Sequence, residues 1–355
     1  IECRIGKSLF RVFAIILDLV PMDLNNLKSD PIVVVGGGFG GLATVQALLA
    51  KSVGTPIILI DQSPRFLFKP FLYELLSGEL QLWEVAPKFS ALASELGFIF
   101  IQDRVVEVDE LEQKLITSSE TELTYSQLVI STGVTTDYSS VEDLQEYAYG
   151  FSNLDDLRRI KEFINKIDNS SECGNPLVIC GAGPTGVELA CKVSDLVDNR
   201  IKIYLVDQGS EILSKSKSFN REKAIDAISK RNIKIYLKHH IKSVNKTCLE
   251  LSTVDNEKSQ SIKINYSDLV WTAGLKPSPS QLVDNFSDER KKIKVNKFLQ
   301  INENQNIFFI GDITFCESEP FPSSAQVAMQ QGFLTAQNIF SLRNRRKLHP
   351  FEFED

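Results

Sequence analysis

Pro31-Ile-Val-Val-Val-Gly-Gly-Gly-Phe-Gly-Gly-Leu-Ala-Thr-Val-Gln-Ala-Leu-Leu-Ala50 decides the fold. Four β-formers, Ile32 to Val35, run straight into Gly36-x-Gly38-x-x-Gly41, and the apolar spacing of Leu42, Val45, Leu48 and Leu49 then predicts a helix. The unit is a strand, a tight turn and a helix start. Gly36 allows the turn, Gly38 lets the backbone approach a pyrophosphate, and Gly41 lets helix and strand touch. The helix start offers N–H groups and partial positive charge to phosphates. A second strand, Pro56-Ile-Ile-Leu-Ile60, ends in Asp61, about twenty residues past the last glycine, where a carboxylate can hold a ribose 2′-hydroxyl.

The design recurs. Pro176-Leu-Val-Ile-Cys-Gly-Ala-Gly-Pro-Thr-Gly-Val-Glu-Leu-Ala190 places Gly181, Gly183 and Gly186 in the same roles, and Ile201-Lys-Ile-Tyr-Leu-Val206 ends in Asp207. Two matches to strand, turn, helix, strand and acid make an internal repeat, so one chain carries two dinucleotide folds. Asp207 favours a free 2′-hydroxyl, hence NADH over NADPH. Lys215 and Lys217 lie near enough in sequence to reach a 2′-phosphate, so the preference stays open.

Composition bounds the rest. With 355 residues, 43% of them hydrophobic and 24% charged, the chain has material for two to three globular domains. A net charge of −7 removes the electrostatic case for nucleic-acid binding. The cysteines (3, 173, 180, 191, 248 and 316) form no C-x-x-C, and His239, His240 and His349 lack nearby acidic or sulfur ligands, so no metal site is expected. No cysteine falls between Cys3 and Cys173, which excludes dithiol chemistry beside the first glycine-rich unit and the cysteine-dependent sulfide-oxidising branch with it. The run Leu9 to Val20 is too short to span a bilayer, and Arg11 and Asp18 interrupt it. Met22 is the expected physiological start.

Between the two repeats, Gln62 to Leu80 and Trp83 to Pro87 are aromatic-rich and broken by prolines, which suits a cavity wall or a packed surface loop. Residues 98–108 read as strands, with Val105 and Val106 at an edge that could meet an adenine. Tyr125 to Gly133 is a buried strand whose Thr132-Gly133 end permits close backbone approach to a ligand. Residues 153–167 read as an amphipathic bridging helix. Downstream, one strand ends in Gly274 and another in Gly311-Asp312, and Ser323 to Phe340 reads as a serine-capped helix on which Gln326 and Gln330 share a face.

In that order, GGGFGG, Asp61, Tyr-x-x-Leu-Val-x-x-Thr-Gly, GAGPTG, Trp-Thr-Ala-Gly and Ile-Gly-Asp resemble the flavoproteins with two dinucleotide-binding domains, over nearly everything from Pro31 onward. Ala325-Gln-x-Ala-x-Gln330 narrows the resemblance to type II NAD(P)H:quinone oxidoreductases. Arg65 to Leu76 with Glu79 to Pro87 is similar to their cyanobacterial and plastid demethylphylloquinone reductase branch. The fold so implied is α/β, with two Rossmann-like, three-layer β/β/α domains and a discontinuous FAD domain. An extension over 1–30 precedes the FAD-binding part 31–150; the NAD(P)H domain is 151–285, the second FAD part 286–345, and a shortened C-terminal segment 346–355.

The resemblance also implies the ligand sets. FAD would lie on Gly36, Gly38, Phe39, Gly40, Gly41, Asp61, Gln62, Lys69, Val106, Thr132, Gly133, Gly311, Asp312, Ala325 and Gln326, and NAD(P)H on Gly181, Gly183, Pro184, Thr185, Gly186, Glu188, Asp207 and Gly274. Glu188 would couple the two substrates, and a quinone would approach the other side of the flavin near Gln326 and Gln330. Such enzymes attach peripherally to the cytoplasmic side of a thylakoid or plasma membrane through C-terminal amphipathic helices. No such helix is visible before Asp355, which puts membrane attachment and the completeness of the quinone site in doubt. A homodimer is compatible with the resemblance. The competing readings are a soluble reductase serving a ferredoxin-like protein, and a catalytically idle redox sensor that holds FAD and nucleotide.

Overall fold

The computed structural model describes residues 29–168, 174–254, 261–278, 282, 286, 292–301, 304–318 and 320–354. The readings of residues 1–21 and Met22 lie outside them. Five helices carry the argument: α1 (Phe39–Ala50), α2 (Leu72–Ser77), α3 (Leu154–Asp168), α4 (Pro184–Leu196) and α5 (Ala325–Arg343).

Four consecutive β-formers with no polar face suit a strand covered on both sides, and β1 (Ile32–Val35) is wholly buried. It runs parallel to β2 (Ile57–Asp61), which pairs in turn with β3 (Ile99–Gln102). An antiparallel layer follows, made of β4 (Val105–Asp109), β5 (Lys114–Thr117) and β6 (Glu122–Thr124). The chain then returns as β7 (Gln127–Ile130), on the other side of β1. At β8 (Val134–Thr136) it leaves this unit.

The second unit repeats the plan. Its four-stranded parallel sheet holds β9 (Leu177–Cys180), β10 (Ile203–Val206) and β11 (Ile233–Tyr236). The antiparallel layer is β12 (His239–Val244), β13 (Cys248–Thr253) and β14 (Ser261–Asn265), after which β15 (Asp268–Trp271) joins β9. The chain crosses back through β16 (Leu275–Pro277), paired antiparallel with β8. Strand β17 (Ile307–Phe309) then pairs with β7, so the first sheet is completed by residues from beyond the second unit. The discontinuity is a strand register.

Leu144 and Ala148 share a core with Val178 and Leu269, and Trp271 N–H donates to Tyr149 O at 2.7 Å. Leu282 belongs to the core of the first unit. The aromatic-rich segment departs from a plain cavity wall. Leu72, Leu75 and Leu76 on α2 are buried against Leu157 and Ile160 of α3 and Val187 and Leu189 of α4, inside the core of the second unit.

Candidate functional site: two matched clefts

Each glycine has a separate steric reason. Gly36 sits at φ +96°, and a Cβ there would lie 2.6 Å from Ser131 O. At Gly41 a Cβ would overlap Gly36 O, so helix and strand close only on hydrogen. Gly38 faces open space, room that a ligand can use. Helix α1 begins at Gly38 with no side-chain cap and no acid in its first turn, leaving its first N–H groups and positive end to an anion.

Asp61 closes this first cleft. Its Oδ2 accepts from Gly37 N–H at 2.6 Å and its Oδ1 from Ser63 N–H at 2.7 Å. Burial raises its pKa above the ordinary aspartate value, and the two N–H donors oppose that rise. Asp61, Gln62, Arg104, Val105 and Thr132 line the cleft. Thr132 Oγ1 is buried with no hydrogen-bond partner among the described residues, so the cleft holds an unused polar group. Val105 rather than Val106 is in the lining; Val106 falls at a bulge in β4 and is half-buried. Phe39 meets Phe66 and Phe68 edge-on at 5.3 and 5.2 Å, while Lys69 is exposed on a single 3-10 turn.

Residues from the returning chain complete this end. Gly133 and Gly311 take φ +68° and +78°. Gly311 N–H donates to Gln331 Oε1 at 2.6 Å, which fixes the turn carrying Asp312. Ser324 caps α5 by accepting from Val327 N–H at 3.2 Å, and Ala325 opens the helix. Gln331 is fully buried, and its Nε2 lacks a partner among the described residues. No signal in the sequence separated Gln331 from Gln330.

The second cleft copies the first almost atom for atom. Gly181 sits at φ +108° with a Cβ position 2.5 Å from Thr272 Oγ1, a Cβ on Gly186 would overlap Gly181 O, and Gly183 is open. Helix α4 starts at Pro184 without a side-chain cap or first-turn acid. Asp207 Oδ2 accepts from Ala182 N–H and its Oδ1 from Gly209 N–H, both at 2.6 Å. Ser131 Oγ donates to Gly36 O at 2.6 Å, and its counterpart under the second glycine turn, Thr272 Oγ1, lies 3.2 Å from Gly181 O and 2.8 Å from Cys180 O as a donor to both. The cavity measures about 320 Å³ and is lined by Cys180, Gly181, Asp207, His239, His240, Trp271 and Gly274 among others. Burial first, then the Asp207 carboxylate, pushes the Cys180 thiol far up, so it is no thiolate nucleophile. Lys215 and Lys217 are exposed and outside this lining; the histidines stand there instead.

At the seam, Tyr73 of α2 donates its hydroxyl to Thr185 O at 3.3 Å, joining the aromatic segment to the second glycine turn. The same tyrosine is made less acidic by burial and then by the neighbouring carboxylate of Glu188. Glu188 itself is exposed. Gln326 and Gln330 lie on the start of α5, where their Nε2 groups donate to Glu354 O at 3.3 and 2.7 Å, and Gln330 Oε1 accepts from Glu354 N–H at 3.1 Å. The two glutamines are thus together, under a stretch of C-terminal backbone.

Comparison with known proteins agrees with this geometry. Residues 30–332 match the pyridine nucleotide-disulphide oxidoreductase family. The chain is 33% identical to demethylphylloquinone reductase NdbB of Synechocystis sp., over 91% of this chain and 82% of that protein. It is 30% identical to alternative NAD(P)H-ubiquinone oxidoreductase C1, chloroplastic/mitochondrial, of Arabidopsis thaliana, over 92% and 70%. Among solved structures, NDH2 from Plasmodium falciparum in complex with NADH superposes with a TM-score of 0.77 at 17% identity, covering 89% of this chain and 84% of that one. The sulfide:quinone oxidoreductase of Aquifex aeolicus gives 0.75 at 18%, covering 89% and 78%. At those identities the superpositions speak for the fold.

Proposed function

This chain belongs to the pyridine nucleotide-disulphide oxidoreductase family, and we propose that it is a type II, non-proton-pumping NAD(P)H:quinone oxidoreductase resembling demethylphylloquinone reductase. FAD takes the first cleft, NAD(P)H the second, and a membrane quinone, of naphthoquinone type, is the final acceptor. One observation carries the reading: one chain holds two clefts of the same construction, each with an open glycine, a free helix start and an acid held by two N–H groups.

The unused Thr132 hydroxyl, the open Gly38 position and the uncapped start of α1 suit a flavin dinucleotide. When bound, FAD supplies acceptance of a hydride from the nicotinamide and return of two electrons to the quinone. The protein positions and screens. Asp61 and Asp207 offer oriented acceptors to ribose hydroxyls, and the helix starts neutralise pyrophosphate charge. Phe39, Phe66 and Phe68 form an apolar wall that keeps water from the hydride path. Glu188, at the seam beside Tyr73, holds a carboxylate on the nicotinamide side, and Gln326 and Gln330 offer amides to the quinone carbonyls once Glu354 yields them. No helix among the described residues is long and apolar enough to cross a membrane. The quinone is met by peripheral contact, on the cytoplasmic side of a thylakoid or plasma membrane.

Anaerobic stopped-flow absorbance tests the reading. Mixing the FAD protein with NADH or NADPH bleaches the flavin band, and subsequent mixing with a naphthoquinone restores it. Bleaching without quinone-dependent recovery would overturn the assignment of the acceptor.

A further inference from the structure

Three pieces of chain far apart in sequence meet beside the first glycine turn. A Cβ on Gly40, in the first turn of α1, would lie 3.0 Å from Ile310 Cδ1 and 3.1 Å from Ala328 O, so α1, the end of β17 and the start of α5 touch there. Ile310 N–H donates to Ile130 O at 3.0 Å and continues the sheet, and the next residue, Gly311, departs from it at φ +78°. The turn Gly311–Ile313 is then held from two sides. Thr314 Oγ1 donates to Gly311 O at 2.8 Å, and Gly311 N–H donates to Gln331 Oε1 at 2.6 Å. The first contact is local, and the second ties the turn to α5.

Gln331 is an expensive residue for that task. It is fully buried, only one end of its amide is engaged, and Nε2 has no partner among the described residues. Thr335, one helical turn on, is also fully buried, and its hydroxyl likewise has no partner among the described residues. A buried polar group left unpaired costs more than one made hydrogen bond returns, so the two residues are not a stabilising pair. Such groups in an interior mark positions that answer to something besides packing. What Gln331 touches is the turn that carries Asp312.

We propose that Gln331 is a positioning residue for the flavin: through Gly311 it fixes where Asp312 stands against the cofactor. The inference rests on the reading of the first cleft as the FAD site. Gln331 acts through Asp312 and touches no reacting atom. Because Gln330 precedes it, one helix carries both the amide that holds the flavin turn and the amide offered to the quinone, and a shift of α5 moves the two together.

The test compares Q331M and Q331E with the native protein, each freed of flavin and titrated with FAD. Q331M keeps an unbranched side chain and removes both ends of the amide, whereas Q331E keeps an acceptor for Gly311 N–H and removes Nε2. In Q331M the dissociation constant for FAD should rise about tenfold. The unfolding midpoint of its apoprotein should stay near native, since one unpaired donor disappears as Gly311 N–H becomes another. At saturating FAD, bleaching by the nicotinamide donor should slow with its half-saturating concentration unchanged, a split that general loosening of the fold does not give. Q331E should return both quantities to within about threefold of native. A Q331M that binds FAD and is reduced like the native protein overturns the proposal, and so does a Q331E as impaired as Q331M. Should Q331M fail to fold, Q331E decides alone: near-native FAD affinity supports the Gly311 bond, and a tenfold loss, by about the worth of one such bond, overturns it. A native apoprotein that takes up no FAD overturns instead the assignment of the first cleft, on which the proposal stands.

Discussion

A carboxylate that accepts two backbone N–H bonds at the mouth of a glycine turn is spent on geometry before any ligand arrives, and Asp61 and Asp207 are both of this kind. Replacing Asp61 by Ala removes charged acceptors from Gly37, Ser63 and a ribose hydroxyl. Flavin affinity should fall by roughly 10- to 100-fold, read from the flavin-to-protein absorbance ratio after gel filtration. The pH dependence has a definite sign. With its folded pKa raised by burial, Asp61 in the apoprotein contributes stability that is fully present below its unfolded pKa and is lost as pH rises through the folded one. Flavin binding runs the opposite way, because protonation destroys the charged acceptors. FAD should therefore be released on acidification at a higher pH than an ordinary aspartate would dictate, and a release profile that D61N leaves unchanged would remove Asp61 from this role. At the seam, Tyr73→Phe and Glu188→Gln should each slow hydride-driven bleaching or quinone turnover with FAD still bound, and the pair should be non-additive if they act together. The acids and glycines were legible because strand, turn and spacing mark them. Tyr73, Ser131, Thr272 and Gln331 were not, since their partners lie far along the chain and nothing in their own surroundings marks them.

Helices α1 and α5 show what an element must give up to sit close to another. A Cβ on Gly332 would stand 2.5 Å from Gly40 O and 3.0 Å from Thr44 Oγ1, so the two helices meet backbone to backbone. Gly332→Ala should cost about 1–3 kcal/mol in chemical unfolding, by forcing apart two helices that pack backbone to backbone, one of which starts at the first glycine turn. Loss of flavin should accompany it. The capped start of α5 was readable from Ser323-Ser324, as was the amphipathic α3, because cap chemistry and periodicity are local. The aromatic segment was less so. Its prolines pointed to a loop or wall, yet Leu72, Leu75 and Leu76 are buried on the far unit, a destination that no local periodicity specifies.

Neither dinucleotide unit is complete in its own stretch of chain. The first needs β17 and α5, which arrive after the second unit has been built, and the second has its α3–α4 surface covered by α2 from the first. The paired crossing strands β8 and β16 join them by backbone, and the leucines of α2, a helix from the first unit's stretch of chain, are buried in the core of the second. The repeat itself was visible in the sequence, and the family resemblance implied the discontinuous FAD domain; the burial of α2 in the core of the second unit was not legible, since it depends on residues far apart along the chain. Unfolding should therefore be one event. Loss of helical circular dichroism and the rise in flavin fluorescence on FAD release should share a single midpoint in a thermal scan, and added FAD should move both upward together by mass action. Two separate units would give an early flavin release with half the helix signal retained. A split of that kind would mean that α2 detaches from α3 and α4 at little cost, and the seam at Tyr73 and Thr185 would then be a moving joint rather than a fixed wall.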